Sequence, residues 1–181
     1  MANLKGKRVA ILATDGVEQQ ELFEPRNALQ QAGAQAEVIA LKPGSIKGWK
    51  QTQWGDQIPV DKTIDQAKTA DYDALYLPGG VMSPDTLRQD KRAVKFVKTF
   101  FDSNKPVAAL CHGPSMLVEA DVLHGRQVTS APAIQTEVRN AGAKWVDQQV
   151  VVDHGLITSR TPQDIPAFNL KMVDAFATAR T

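Results

Sequence analysis

Four short apolar runs constrain this chain more than any other feature: residues 9–13, 37–41, 74–77 and 107–110, each nearly free of charge. A strand with one wet face alternates apolar and polar side chains, whereas a run apolar throughout suits a strand buried on both faces. Between the runs lie stretches with helical spacing. A polar loop at 14–20 leads into a helix through Leu22, Leu29 and Ala32, closed by Gly33. Pro25 inside that stretch predicts a kink or a late start. Ala93, Val94, Phe96, Val97, Phe100 and Phe101 cover most of a helix circumference, which predicts deep burial. Further strands are expected at 128–129, 150–152 and 156–158. Ile165, Phe168, Met172 and Phe176 then give the last helix one core-facing stripe. Residues 43–60 read as a hairpin excursion, with Trp49 and Trp54 as its packing anchors rather than ligand stackers. The hairpin itself suits an interface or a pocket lid.

Strand-helix alternation along the whole chain implies an α/β fold, a doubly wound, mainly parallel sheet with helices on both faces. The length of 181 residues suits one domain, 1–181. In such sheets ligands bind beyond the carboxyl ends of the strands, so the loops 14–20, 78–84 and 111–114 are expected to converge there.

Composition removes several function classes. Twenty-one Lys and Arg against twenty Asp and Glu leave a formal charge of +1, without the basic excess of a nucleic-acid or anionic-membrane binder. No apolar run approaches the ~20 residues that span a bilayer. The first eight residues do not read as a signal peptide. With Cys111 alone, neither an internal disulfide nor a cysteine-based zinc site is expected, and the cytoplasm is the default compartment. No phosphate-binding glycine loop or His-x-x-x-His spacing is present, so no cofactor and no metal are expected.

Cys111 ends one strand and opens a turn, Cys111-His112-Gly113-Pro114, into a helix. A lone cysteine is by default a small buried residue, but this position resembles a nucleophile elbow, which exposes the side chain above the sheet. A helix N-terminus beneath a thiol favours the thiolate. The N–H groups of His112 and of Gly79, Gly80 or Val81 at the neighbouring strand end are placed to form an oxyanion hole. His112 is a candidate base at the sharp turn, or an ordinary stacked imidazole. His124 and His154 read as solvated loop residues. Glu18 follows the first strand, with Glu21 one turn on. A carboxyl beside the thiolate would have its pKa raised and, while neutral, would donate to sulfur. Alternatively both acids sit near a helix N-terminus for its dipole. Asp85 reads by default as an N-terminal helix residue.

Leu77-Pro78-Gly79-Gly80, Ala109-Leu110-Cys111-His112-Gly113-Pro114, Leu123 to Arg126 as Leu-x-Gly-Arg, and Thr158-Ser159-Arg160-Thr161-Pro162 together resemble the PfpI family. That family belongs to the larger ThiJ/PfpI group, and the likeness runs from about Lys7 to Phe176. It implies a flavodoxin-like, class I glutamine-amidotransferase-like fold. It also implies Cys111 as nucleophile, Glu18 as the carboxyl that bonds the thiol, and His112 as the histidine beside it. Similar proteins are homodimers or homohexamers. In peptidase-type members an acid of a neighbouring subunit completes a triad. The matching position here is Asp85, one methylene shorter than the glutamate of that pattern.

The resemblance implies three activities. The first is a stress-protective hydrolase of deglycase or glyoxalase type, acting on small aldehydes or on glycated protein or nucleotide. The second is an intracellular cysteine peptidase acting on peptides, and the third a non-enzymatic redox-sensing thiol. Adduct repair needs one shuttling acid or base, whereas amide cleavage needs an imidazole oriented by its own carboxylate. The shortened Asp85 therefore favours the first.

Overall fold

Each of the four apolar runs forms a strand, and alternate side chains of a strand enter different cores. The computed structural model describes residues 2–179. The first run is β1 (Arg8–Leu12), followed by α1 (Gln19–Gln31) and β2 (Gln35–Ala40). The excursion is the hairpin β3 (Ser45–Lys50) and β4 (Gln53–Pro59), antiparallel with a register shift between Lys47 and Trp49. Then come β5 (Lys62–Thr63), β6 (Ala74–Leu77), α2 (Met82–Leu87), α3 (Lys91–Asp102), β7 (Val107–Leu110) and α4 (Ser115–Glu119). The chain continues through β8 (Gln127–Val128), α5 (Gln135–Asn140), β9 (Lys144–Trp145), β10 (Val151–Asp153), β11 (Leu156–Ser159) and α6 (Ile165–Thr178).

Seven strands make the main sheet in the order β10-β11-β7-β6-β1-β2-β5, parallel throughout except for β10 against β11. Ala10 and Leu12 of β1 pack with Phe96, Val97 and Phe100 of α3 and with Leu117 of α4. Val9 and Ile11 point the other way, toward Leu22 and Leu29 of α1 and Phe168, Met172 and Phe176 of α6. Both faces are covered, so period-2 alternation is absent from the sequence. From β1 the chain winds first to β2 on one side and later to β6 on the other. The long parallel strands thus run β2-β1-β6-β7-β11, the flavodoxin-like order, with a crevice where the winding reverses.

Three expectations need correction. α1 starts at Gln19 and runs unbroken through Pro25 rather than starting late. α3 buries Ala93, Phe96, Val97 and Phe100, but Val94 and Phe101 are only half-buried and Lys91, Lys95 and Lys98 face solvent. It is an amphipathic surface helix, because two layers need only one face of each helix covered. The strand expected at 128–129 pairs only with β9, in a small sheet of its own. Among the described residues no helix is long and apolar enough to cross a membrane.

Candidate active site

Cys111 leaves β7 with a φ of +62°, in the left-handed region that L side chains avoid. That conformation costs about 1–2 kcal/mol and persists only where the surroundings impose it. Here the Cys111 N–H donates to the Ser159 carbonyl at 3.0 Å, and the Cys111 carbonyl accepts from the Ala131 N–H at 2.8 Å. The Gly113 N–H closes the turn on the Leu110 carbonyl at 2.8 Å. A Cβ at Gly113 would collide with the Leu77 carbonyl, so only glycine lets the chain enter α4 this close to the sheet. The turn leaves the thiol partly accessible at the sheet's carboxyl edge.

Groups from α1, from the loop after β6 and from the turn itself surround the sulfur. The Glu21 carboxyl, on the first turn of α1, neighbours the thiol and is coupled to it electrostatically. The backbone N–H groups of Gly80 and His112 favour the thiolate, and His112 Nδ1 is 3.4 Å from Sγ. Glu21 is 1% exposed, and burial pushes its carboxyl up from 4.5 to about 8 against the pull of the Gly79 N–H, which donates to Oε1 at 2.9 Å. Burial and the nearby Glu21 charge likewise push the Cys111 thiol up. Two such groups resist ionising together. At neutral pH Glu21 is therefore an acid, able to donate to the sulfur once the thiol gives up its proton, and the Gly80 and His112 N–H groups favour that ionised form. Burial lowers the pKa of His112, with the Glu137 charge acting in the opposite sense, so the imidazole is neutral.

The carboxyl that meets the thiol is Glu21, which corrects the assignment to Glu18. Glu18 precedes α1 and lines the same cavity, but its Oε1 accepts the Gln51 N–H at 3.3 Å, and burial raises its pKa with that bond acting in the opposite sense. The oxyanion set also shrinks. The Gly79 N–H is held by Glu21, which leaves Gly80 and His112. Asp85 is exposed on α2 and does not line the cavity around Cys111. Nor does any hydrogen bond join it to His112 among the described residues.

The thiol opens into a cavity of about 660 Å³ between loops that follow β1, β6, β7 and β11. Trp49 and Gln51 of the hairpin form one wall, so Trp49 is more than a packing anchor. The hairpin is stitched to the loop after β1 by Trp49 N–H to Val17 O at 2.7 Å, Gly16 N–H to Lys47 O at 2.8 Å and Lys47 N–H to the Asp15 carboxylate at 2.8 Å. Val81 and Met82, 65% and 38% exposed, form an apolar lip opposite. Pro162 and Gln163 close the far side, held by Arg160, whose N–H and guanidinium both meet Asp164 at 3.0 Å.

A strained cysteine at this elbow, with a buried acid from the first helix, can be compared with known proteins. The model of the DJ-1/PfpI family matches residues 7–175. The chain belongs to the DJ-1/PfpI family. It is 46% identical to protein/nucleic acid deglycase 2 of Escherichia coli over 164 residues, covering 90% of this chain and 94% of that protein. It is 45% identical to general stress protein 18 of Bacillus subtilis, over 91% of this chain and 94% of that one. Drosophila melanogaster DJ-1beta superposes with a TM-score of 0.86 at 26% identity, covering 96% of this chain and 91% of that one.

For this DJ-1/PfpI chain, Glu21 was the site residue hardest to see in the sequence. One signal was present: Glu21, Pro25 and Leu29 are four apart, so the carboxyl rides the same helix stripe as buried side chains. Trp49 and Gln51 carried no such signal, since the hairpin reaches the site only through tertiary hydrogen bonds. Among the described residues no three His, Cys, Asp or Glu side chains group so as to hold a metal ion.

Proposed function

We propose that the protein is a cysteine-nucleophile hydrolase of deglycase type, which removes glyoxal- and methylglyoxal-derived adducts from amines or thiols. The observation that carries this reading is the pairing of Cys111 with a buried, protonatable Glu21, beside a neutral His112 to which no carboxylate is hydrogen-bonded among the described residues. Adduct chemistry needs a thiolate, an oxyanion site and one group that passes a proton between adjacent carbons. The thiolate takes the aldehyde-derived carbon and the amine leaves. Glu21 then moves the proton from that carbon to its neighbour, while Gly80 and His112 N–H hold the oxygen anion. Water releases the resulting thioester as a hydroxy acid. In sum an aminocarbinol of methylglyoxal plus water yields free amine plus lactic acid.

Amide cleavage would ask more, namely an oriented imidazole to protonate a poor leaving group. Asp85 does not supply that orientation within the chain. The name of the Escherichia coli relative agrees with adduct repair, and that of the Bacillus subtilis relative with a stress role. A free reactive thiol suits a reducing compartment, so we place the protein in the cytoplasm, as a homo-oligomer.

The test is lactate release from methylglyoxal-treated N-acetylarginine in a buffer free of amines, with Cys111→Ala as the blank. Turnover that the blank lacks supports the reading. Indistinguishable rates would overturn it and leave the cysteine peptidase and the redox thiol as the surviving accounts.

A further inference from the structure

Pro25 lies four residues after Glu21 inside α1. In an unbroken α-helix the N–H at that position would satisfy the Glu21 carbonyl, but proline has no N–H and its ring crowds the carbonyl four residues back. The Glu21 carbonyl is therefore free for another donor, in the interior. It is met from the sheet: the Tyr76 hydroxyl donates to it at 2.5 Å. Tyr76 is fully buried on β6, and its ring packs on Phe168 of α6 at 5.7 Å between centroids, tilted by 49°. Three residues further along the same strand end, the Gly79 N–H grips the Glu21 carboxyl. β6 and the loop that follows it thus hold Glu21 at both its backbone and its side chain.

We infer that Pro25 and Tyr76 form a positioning pair, in which the proline frees the Glu21 carbonyl and the tyrosine hydroxyl anchors it so that the carboxyl meets the Cys111 thiol. Neither residue touches the cavity, and neither is a catalytic group. The hydroxyl is a dependable donor, because complete burial keeps the phenol protonated. The pair explains why a proline in the interior of α1 leaves the helix continuous, since the bond it removes is replaced from outside. The inference rests on Glu21 as the partner of the thiol, and not on which substrate the thiol attacks.

The two residues are predicted to be coupled. Tyr76→Phe keeps the ring and removes the donor, leaving a buried carbonyl that no helix N–H reaches. Pro25→Ala restores the ordinary helix donor and makes the hydroxyl dispensable. The assay is the rate of Cys111 alkylation by iodoacetamide from pH 5 to 10, which needs no substrate and so survives failure of the deglycase reading. Tyr76→Phe is expected to displace the pH midpoint and change the neutral-pH rate about tenfold, since misplacement by an ångström costs up to about a hundredfold in comparable sites. In the Pro25→Ala background the same substitution is expected to change the rate less than threefold. A double variant that folds where Tyr76→Phe does not would also support the coupling. Equal effects in both backgrounds, an unmoved profile for Tyr76→Phe, or failure of both Tyr76 variants to fold would overturn it.

Discussion

Replacing Glu21 with glutamine should make the protein more stable, and the gain should grow with pH. The carboxyl ionises near 4.5 when unfolded and near 8 in the native chain, where burial opposes its charge. Between those values the native state holds a proton that the unfolded state has released, so stability falls as pH rises, and levels off above about 8. The whole interval corresponds to about 5 kcal/mol, of which about 3 kcal/mol is already lost at pH 7. Glutamine has the same shape, still accepts the Gly79 N–H through its amide oxygen and never becomes charged. Thermal unfolding of both proteins from pH 4 to 9 reads the difference. A chain of this size gains about 2–4 °C in Tm per kcal/mol, so the curves should meet near pH 4 and separate by on the order of 10 °C above pH 8. Curves that stay parallel over the range would refute the reasoning, because the buried carboxyl would then ionise as freely in the fold as out of it.

Cys111→Gly should raise Tm by a few degrees while abolishing turnover, since glycine adopts φ +62° without the cost borne by a Cβ; an unchanged or lower Tm would count against strain at the elbow. Gly113→Ala should destabilise by about 3 kcal/mol or more, because the new methyl overlaps the Leu77 carbonyl and both strands must give way. Urea unfolding measures that loss, and a midpoint within error of wild type would show that the turn tolerates a side chain. Asp85→Ala should leave both lactate release and Cys111 alkylation within twofold, as expected of an exposed side chain outside the cavity. A hundredfold fall in turnover would instead mean that Asp85 serves a site completed by a second subunit.

The parallel sheet was legible because burial on two faces writes itself into composition: Val9 to Ala13 can hardly be anything but a central strand. Cys111 was legible for a similar reason, since a strand, one cysteine and a Gly-Pro pair leave few geometries open. Its acid partner was not. Glu18 and Glu21 are both acids at the start of one helix, and which faces the sulfur depends on the rotation of α1 over the sheet. That rotation is set by Leu22 and Leu29 in the core and by the Tyr76 hydroxyl on the Glu21 carbonyl. The late start expected at Pro25 failed for the same reason, because a strand residue 51 positions away supplies the missing donor. The hairpin wall depends on hydrogen bonds between residues 15–17 and strand β3, and pairings over such separations leave no local pattern.

The most direct test of the central claim is mass spectrometry of the protein during turnover of a methylglyoxal adduct. The account predicts a transient mass increase of one methylglyoxal, mapped to the peptide carrying Cys111 and absent from Cys111→Ala. In Glu21→Gln the same increase should accumulate, because the thiol is still attacked but the proton transfer to the neighbouring carbon is lost. Lactate release with no covalent species on Cys111, or adducts only on lysine and arginine side chains, would contradict it.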